Sequence, residues 1–229
     1  MAELIVALDY TDAEHALAAA KMVQGTPLWM KVGLELFTRE GPDVVRALQK
    51  MQFKVMLDLK MFDIPNTVKG GIRSACRLGV DIVTVHTLGG ERMIRAAAEA
   101  IAESAAEGGA RPKLFGITIL TSMAPGELPG YTQDLGSFAG DLACMGKSWG
   151  LDGVVCSGHE VRAIKNRCPE LLCLTPGIRP ASGNSDDQRR VMTPSEAVRA
   201  GSDYLVVGRP ITKADNPAEA ARAILSEMA

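Results

Sequence analysis

Short runs of consecutive apolar residues recur along the chain, and each run precedes a longer segment whose apolar residues recur at helical spacing. The apolar runs span residues 4–8, 28–33, 54–60, 81–86, 113–120, 153–157, 171–175 and 204–207. The helix-like segments span residues 12–23, 34–51, 66–78, 91–106, 136–149, 158–167, 194–200 and 216–227. The sequence therefore predicts eight strands, each followed by a helix.

Buried strands that alternate with helices are typical of parallel sheets in α/β proteins. Eight such units predict a closed (β/α)8 barrel, the TIM-barrel fold. No shift in composition marks a linker, so residues 1–229 are expected to form a single domain. An open doubly wound sheet is the alternative. It would need a glycine-rich first turn, whereas Asp9, Tyr10 and Thr11 follow the first strand.

The composition is that of a globular protein with a sizeable core. The chain has 229 residues, of which 47% are hydrophobic, so it can bury a large apolar interior. The formal net charge is −2 and the basic residues are scattered, which argues against nucleic acid or an anionic membrane as a partner. Residues 1–8 lack the basic region of a signal peptide, and no apolar run reaches the roughly 18 residues of a membrane span. A cytoplasmic protein is expected.

The cysteines also favour a reducing compartment. There are five, an odd number without a CxxC pair, at Cys76, Cys144, Cys156, Cys168 and Cys173. Buried, reduced thiols are therefore expected, and a zinc site has little support.

The third predicted strand and the turn after it contain three charged residues within the stretch 55–65. Side chains alternate along a strand, so Asp58 and Lys60 are expected on the same face. Asp63 follows in a turn that Pro65 helps to end. Because charged groups are costly to desolvate at the end of a buried strand, this stretch is a candidate catalytic centre.

The active sites of barrel enzymes lie at the carboxyl ends of the strands. At these positions the sequence has Asp9, Lys31, Asp58, Lys60, His86, Thr121, Ser157, Pro176-Gly177 and Gly208-Arg209. Charges of alternating sign can hold a lysine ammonium protonated and oriented, as a general acid requires. The structural alternative is a set of salt bridges that closes one end of the barrel.

Other chemistries have less support. A hydrogen-bonded structural role is favoured for His86 over a catalytic one. A divalent cation could be held by Asp9 and Asp58, but Lys31 and Lys60 already neutralise these carboxylates, so no metal is expected. The sequence has no HExxH motif and no visible Cys–His pairing, which leaves a nucleophilic hydrolase little support.

Two loops predict a phosphate-binding site. Phosphate commonly binds the loops that follow strands seven and eight of this fold. The first loop contains Gly177 and Arg179, and the second contains Gly208, Arg209 and Pro210. Gly208 allows the backbone to approach an anion, and Arg209 offers a bidentate fork. Pro210 can begin a short helix whose N-terminus favours anions, whereas Arg179 could instead brace its loop.

With these residues in view, the sequence resembles the orotidine 5′-phosphate decarboxylase family over essentially its whole length. The matching pieces, in order, are Leu8-Asp9, Lys31-Val32-Gly33, Asp58-Leu59-Lys60-Met61-Phe62-Asp63-Ile64-Pro65-Asn66-Thr67, Thr118-Ile119-Leu120-Thr121-Ser122, Thr175-Pro176-Gly177-Ile178-Arg179-Pro180, Asp186-Asp187-Gln188-Arg189-Arg190 and Val207-Gly208-Arg209-Pro210-Ile211. The ordered set is far more specific than any one piece. One departure is Phe62, where many members carry histidine, and it lies outside the charged array.

The resemblance implies a carboxy-lyase that needs no cofactor and converts the nucleotide orotidine 5′-phosphate to UMP in pyrimidine biosynthesis. It implies that Lys60 stabilises the carbanion formed at C6 of the pyrimidine and then protonates it. Asp58 would lie against the departing carboxylate, and Lys31 would belong to the same catalytic array.

The resemblance also implies a homodimer with shared sites. Asp63, Ile64 and Thr67 of one subunit would reach into the site of the other, with Asp63 orienting Lys60. The binding roles that it implies are Asp9 and Lys31 on the ribose hydroxyls, Thr121 on the pyrimidine edge, Gln188 between base and phosphate, Gly208 and Arg209 on the phosphate, and Arg179 in the loop that closes over it.

Two other functions stay open. The nearest is a Mg-dependent sugar-phosphate lyase of the same suprafamily, such as a keto-gulonate phosphate decarboxylase or a hexulose phosphate synthase, with a similar Asp-x-Lys-x-x-Asp motif. Residues 64–67 and 176–188 match the orotidylate enzyme better. A non-catalytic barrel that binds a phosphorylated nucleotide would explain Arg209 but not the placement of Lys60 between two acids.

Overall fold

Eight parallel strands close into a barrel in this computed structural model, which describes residues 2–124, 126–131, 134–180 and 191–229. The strands are β1 (Glu3–Ala7), β2 (Leu28–Gly33), β3 (Val55–Met61), β4 (Ile82–His86), β5 (Lys113–Ile117), β6 (Gly153–Val155), β7 (Leu172–Thr175) and β8 (Tyr204–Val207). Each strand pairs with the next along the chain, and β8 pairs with β1. This closure confirms the predicted (β/α)8 barrel in a single domain and excludes the open sheet.

Helices form the outer layer, because a connection between parallel strands must cross back over the outside of the barrel. They are α1 (Ala13–Met22), α2 (Leu34–Glu40), α3 (Pro42–Lys50), α4 (Pro65–Leu78), α5 (Gly90–Ala106), α6 (Leu135–Trp149), α7 (Gly158–Arg167), α8 (Pro194–Ala200), α9 (Arg209–Thr212) and α10 (Pro217–Glu227). A short 3-10 helix, Thr87–Gly89, precedes α5. The Asp12 carboxylate caps α1 by accepting the His15 N–H at 2.9 Å.

The strands are apolar on both faces because each face is covered. In β1, Ile5 and Ala7 belong to the cluster that fills the barrel interior, whereas Leu4 and Val6 pack in the layer between barrel and helices. The same alternation along the other strands decides which side chains can reach a site inside the barrel mouth.

Aromatic side chains fill the interior near the amino ends of the strands. The Tyr204 ring packs edge-on against Trp29 and Phe115, with ring centroids 5.5 and 5.7 Å apart. The indole N–H of Trp29 donates to the Glu3 carboxylate at 2.7 Å. The interior is thus closed by packing at this end, and its polar positions lie toward the carboxyl ends.

The predicted elements are confirmed with local corrections. Residues 34–51, expected as one helix, form α2 and α3, because Gly41 adopts a φ of 64° and a new helix begins at the following proline. The strands expected to reach residues 120 and 157 end at Ile117 and Val155. Directly after β5, the N–H and the hydroxyl of Thr118 both donate to the Val155 carbonyl, at 3.2 and 3.1 Å.

All five cysteines carry free thiols, and Cys144 alone among them is half-buried instead of buried. The sulfur atoms of Cys144 and Cys168 lie 2.7 Å apart. Within the part of the chain that the structure describes, no helix has both the length and the apolar character needed to cross a membrane.

Candidate active site

A cavity of about 340 Å³ opens at the carboxyl ends of the strands. Its floor consists of interior apolar side chains, namely Ala7, Met56, Val155, Leu174 and Val206. The rest of its lining consists of strand ends and loops, namely Asp9, Lys31, Asp58, Lys60, Thr121, Pro176, Gly177, Arg179, Gly208 and Arg209. The structure therefore brings most of the predicted site residues together, and the roles assigned to them stay predictions.

Four charged side chains form a chain of ion pairs in this cavity. The Lys60 ammonium lies 2.7 Å from Oδ2 of Asp58, and the Lys31 ammonium lies 3.7 Å from the same oxygen. Lys31 also donates to Oδ1 of Asp9 at 3.0 Å. The side chains of Asp58 and Lys31 are 9% and 11% exposed, whereas that of Asp9 is 67% exposed. One buried carboxylate thus faces two ammonium groups, which leaves the inner part of the array positive.

The surroundings of Asp58 keep its carboxylate ionised. Burial by itself would raise the pKa of this carboxyl. The charges of Lys31 and Lys60, with hydrogen bonds from Lys60 and Thr84, outweigh burial and hold the pKa below its usual value. Asp58 is therefore a carboxylate at neutral pH.

The backbone of β3 is irregular at Lys60. Lys60 has a φ of 51°, in the left-handed region, which costs a residue with a β-carbon roughly 1–2 kcal/mol. The pairing of β3 with β4 shifts register between Leu57 and Met61. At this shift the Lys60 N–H donates to the hydroxyl of Thr84 at 2.9 Å. Despite the irregularity, Lys60 stays on the same side of the strand as Asp58, as predicted.

Thr84 is a site residue that the sequence prediction did not include. Its side chain is fully buried, and its hydroxyl donates to Oδ1 of Asp58 at 3.0 Å. A signal was present, because Thr84 is the one polar residue between Asp81 and His86 and lies two residues from His86. Residues two apart on a strand share a face, so Thr84 was bound to point into the barrel.

The two arginines predicted for phosphate binding, Arg179 and Arg209, line the cavity on the side of β7 and β8. After β7, Gly177 adopts a φ of 78°, which favours glycine. Ile178 then pairs with Met192, which holds the two ends of the loop together. The guanidinium of Arg179 donates to the Ile178 carbonyl at 2.9 Å. Arg179 therefore braces the base of its loop as well as lining the cavity.

The predicted short helix after β8 is confirmed as α9. It has only four residues, so its dipole adds little to anion binding. A β-carbon on Gly208 would lie 3.6 Å from both Cβ of Ala7 and Oδ2 of Asp9. These are ordinary van der Waals distances, so there is room for a β-carbon at this position.

Asp63, Ile64 and Thr67 are not among the residues that line the cavity of this chain. All three are exposed, and Ile64 has 67% of its surface exposed. Oδ1 of Asp63 accepts the Ile64 N–H at 2.6 Å, which fixes the carboxylate on the loop after β3. Gln188 lies outside the described residues, so its role stays a prediction.

His86 differs from the expectation of a hydrogen-bonded structural histidine. Its Nδ1 atom is buried and has no hydrogen-bond partner among the described residues. Burial and the nearby charge of Lys60 lower the pKa of the imidazole, which favours its neutral form. The centroid of its ring lies 5.6 Å from that of Phe62, so the two rings pack together at the carboxyl ends of β3 and β4.

The donor set of the cavity is dominated by nitrogen cations. Within the described ranges, no three or more His, Cys, Asp or Glu side chains are grouped so that they could hold a metal ion. Both carboxylates of the cavity, Asp9 and Asp58, are paired with lysines. A cation there would compete with ammonium groups for the same oxygens.

The fold and this cavity define a barrel protein with an electropositive pocket for a small anionic ligand. Its lining includes four cationic side chains, Lys31, Lys60, Arg179 and Arg209, against the two carboxylates.

Comparison with known proteins gives the family. A profile of the orotidine 5′-phosphate decarboxylase / HUMPS family matches residues 2–224. Over its full length the chain is 61% identical to the orotidine 5′-phosphate decarboxylase of Nitratidesulfovibrio vulgaris (strain DP4), covering 98% of that protein. It is 58% identical to that of Lawsonia intracellularis, covering all of it. The crystal structure of orotidine 5′-phosphate decarboxylase from Lactobacillus acidophilus superposes with a TM-score of 0.88 at 37% identity, with 100% of this chain and 99% of that one covered. The chain belongs to this family.

The ion pairs of Asp58 predict a pH-dependent contribution to stability. At pH 7, Asp58→Asn should lower the free energy of unfolding by on the order of 3 kcal/mol, because two ammonium groups lose their shared buried counter-charge. The folded-state pKa of Asp58 is depressed, so this difference should be full above the unfolded pKa of about 4 and should shrink as the pH falls below it.

Urea unfolding of both proteins between pH 7 and about pH 3 measures this difference. Glu170→Gln is the matched control, because Glu170 pairs with Lys147 at the surface and its side chain is 84% exposed. A difference for Asp58→Asn that does not change across this pH range would contradict the assignment.

Proposed function

We propose that this chain is an orotidine 5′-phosphate decarboxylase, a carboxy-lyase of pyrimidine biosynthesis that forms UMP and CO₂ without a cofactor. The observation that carries the proposal is the buried Asp58 carboxylate, paired with Lys60 and Lys31 in the cavity that Arg179 and Arg209 also line. Family membership supports it, as do the names of relatives that are 58–61% identical over the whole chain.

In the proposed reaction, Lys60 supplies both the charge and the proton. When the bond between C6 and the carboxylate breaks, its electron pair stays on C6 in an in-plane orbital that no carbonyl can delocalise. The Lys60 ammonium stabilises this carbanion and then transfers a proton from Nζ to C6 as CO₂ leaves. Lys60 recovers its proton from water before the next turnover.

Asp58 and Lys31 orient this ammonium in the proposal. The 2.7 Å contact between Asp58 and Lys60 fixes the direction of the Nζ–H bonds, and Asp58 lies against the carboxylate that departs. Lys31 pairs with both Asp58 and Asp9, so its ammonium lies between the place proposed for the reacting carboxylate and the place proposed for the ribose. Binding the substrate also expels water, which strengthens each of these interactions.

The rest of the cavity offers a place for each part of the nucleotide. The proposed contacts are Asp9 and Lys31 with the ribose hydroxyls, Thr121 with the pyrimidine edge, Gln188 between base and phosphate, and Arg179, Gly208 and Arg209 with the phosphate. The position of the arginine loops on β7 and β8 supports the phosphate end, because that is where barrels of this kind commonly bind phosphate.

Exposed apolar side chains support a homodimer with shared sites. Phe62 and Ile64 follow β3, Leu88 follows β4 and Leu120 follows β5, which places them on one arc of the barrel rim. Phe62 and Ile64 are 60% and 67% exposed, the highest values among the large apolar side chains of the described residues, and grouped exposed apolar side chains indicate an interaction surface. Asp63 lies between these two residues, so a partner subunit that covers them would also contact the Asp63 carboxylate. In the proposal, this carboxylate enters the site of the partner and orients the lysine at position 60 there.

Replacing the proposed acid should abolish turnover. Lys60→Ala should lower kcat/KM for orotidine 5′-phosphate by on the order of 10,000-fold or more, because it removes both the charge and the proton donor. The measurement is the loss of orotidylate absorbance with EDTA present. Lys54→Ala is the matched control and should stay near wild type, because Lys54 precedes β3 at its amino end and its ammonium packs over the Trp29 ring.

Ordinary activity of Lys60→Ala would refute the lysine mechanism. Loss of wild-type activity in EDTA would favour the Mg-dependent sugar-phosphate lyase reading instead.

The phosphate contact predicts a loss that depends on the substrate. Arg209→Ala should lose roughly 2–5 kcal/mol of transition-state binding with orotidine 5′-phosphate, as truncating a charged hydrogen-bond partner does. With the nucleoside orotidine, which has no phosphate, wild type and variant should have similar kcat/KM. Arg222→Ala on the exposed side of α10 controls for loss of an arginine. An equal loss with both substrates would contradict the phosphate role.

Mixing two inactive variants tests the shared site. Lys60→Ala and Asp63→Ala are each expected to be inactive or nearly so. In a heterodimer, one of the two sites receives Lys60 from the Asp63→Ala subunit and Asp63 from the Lys60→Ala subunit, so it has both residues. Random exchange in a 1:1 mixture makes about half of the dimers heterodimers, so the mixture should regain about one quarter of the wild-type sites. Differently tagged subunits confirm the exchange. Absence of recovery after confirmed exchange would count against shared sites.

A further inference from the structure

The hydroxyl of Thr84 makes two hydrogen bonds at the centre of the proposed site. Its oxygen accepts the Lys60 N–H at 2.9 Å, and it lies 3.0 Å from Oδ1 of Asp58. The backbone N–H can only donate, and the Asp58 carboxylate can only accept. The hydroxyl proton therefore points to Asp58, and the direction of both bonds is fixed.

These two bonds act on different parts of the catalytic array. The bond to Oδ1 holds the Asp58 oxygen that does not face Lys60, so the carboxylate cannot rotate about its last bond. The bond from the Lys60 N–H occurs where Lys60 has a φ of 51° and the pairing of β3 with β4 shifts register. Thr84 thus supports a backbone conformation that lysine rarely adopts and that decides where its side chain begins.

We propose that Thr84 is a positioning residue for the reaction: its hydroxyl orients Asp58 and holds the Lys60 backbone, so that the ammonium is aimed at the reacting carbon. The inference rests on the proposed function, because it assigns to Thr84 an effect on a step that Lys60 performs. Thr84 does not line the cavity, and it acts through the two residues that do.

Comparison with the other buried threonines supports a specific role. Thr87, Thr118 and Thr175 are as fully buried as Thr84. Thr118 bonds a main-chain carbonyl, Thr175 bonds another hydroxyl, and Oγ1 of Thr87 has no partner among the described residues. Of these four threonines, Thr84 is the one whose hydroxyl bonds a charged side chain.

The test compares the loss of the hydroxyl with its retention. Thr84→Val keeps the shape but leaves Oδ1 of Asp58 and the Lys60 N–H without their partner. It should lower kcat by roughly 10- to 100-fold, the range expected when a buried hydrogen bond to a charged group is lost. KM, and the Kd of UMP measured by calorimetry, should change by less than about threefold, because the ribose and phosphate contacts remain.

Two further variants serve as controls. Thr84→Ser keeps the hydroxyl and should stay within about threefold of wild type in kcat. Thr87→Val removes a buried threonine hydroxyl that has no partner among the described residues, so its kcat should match wild type. If Thr84→Val does not fold, as judged by circular dichroism, Thr84→Ala replaces it with the same expectation.

The outcomes separate this inference from the proposed function. A wild-type kcat for the hydroxyl-free variant overturns the inference, and so does a loss in Thr84→Ser as large as in Thr84→Val. An equal loss in UMP affinity also overturns it, since that would make Thr84 a binding or folding residue. If wild type does not decarboxylate orotidine 5′-phosphate, or does so without Lys60, the proposed function itself fails.

Discussion

A carboxylate buried between two ammonium groups is stable only while all three groups hold their positions. Removing an ion from water costs several kcal/mol, and the attraction of a partner offsets this only when the geometry is good. Asp58 meets that condition through Lys60 at 2.7 Å, Lys31 at 3.7 Å and the hydroxyl of Thr84 at 3.0 Å. If any partner moved away, the carboxylate would be undercompensated, so the local structure of the barrel mouth has to be rigid.

The barrel supplies this rigidity because the array comes from adjacent strands. Lys31 lies on β2, Asp58 and Lys60 on β3, and Thr84 on β4, and the main-chain ladders fix the distances between these strands. On the outer face of β3, Leu57 packs in the layer beneath the helices, so the strand is held from behind. Side chains on strands are positioned more accurately than side chains on loops, which suits the proton transfer proposed for Lys60.

Simple periodicity accounts for how much could be predicted from the sequence. Alternation along buried strands put Asp58 and Lys60 on one face, and the rule that barrel sites lie at strand ends brought Arg209 into the same cavity. What periodicity could not predict depends on exceptions to it. A lysine with a left-handed backbone conformation is rare, and nothing in the sequence around Lys60 predicts one. The hydroxyl of Thr84 matters because it bonds the backbone at this exception. Likewise, the split of residues 34–51 follows from the conformation of one glycine, Gly41.

The separation of the charged array from the arginine loops has a consequence for the proposed reaction. In a closed ring of eight strands, β7 lies four strands from β3 in either direction, so Arg179 and Lys60 approach the cavity from opposite sides. A nucleotide that spans the cavity can therefore bind tightly through its phosphate without that contact altering the reacting carbon. Binding energy obtained far from the reacting bond can be used to hold the pyrimidine in place beside the charged array. Ile178 pairs with Met192, so the base of the loop after β7 is held in place beside the end of the cavity proposed for the phosphate.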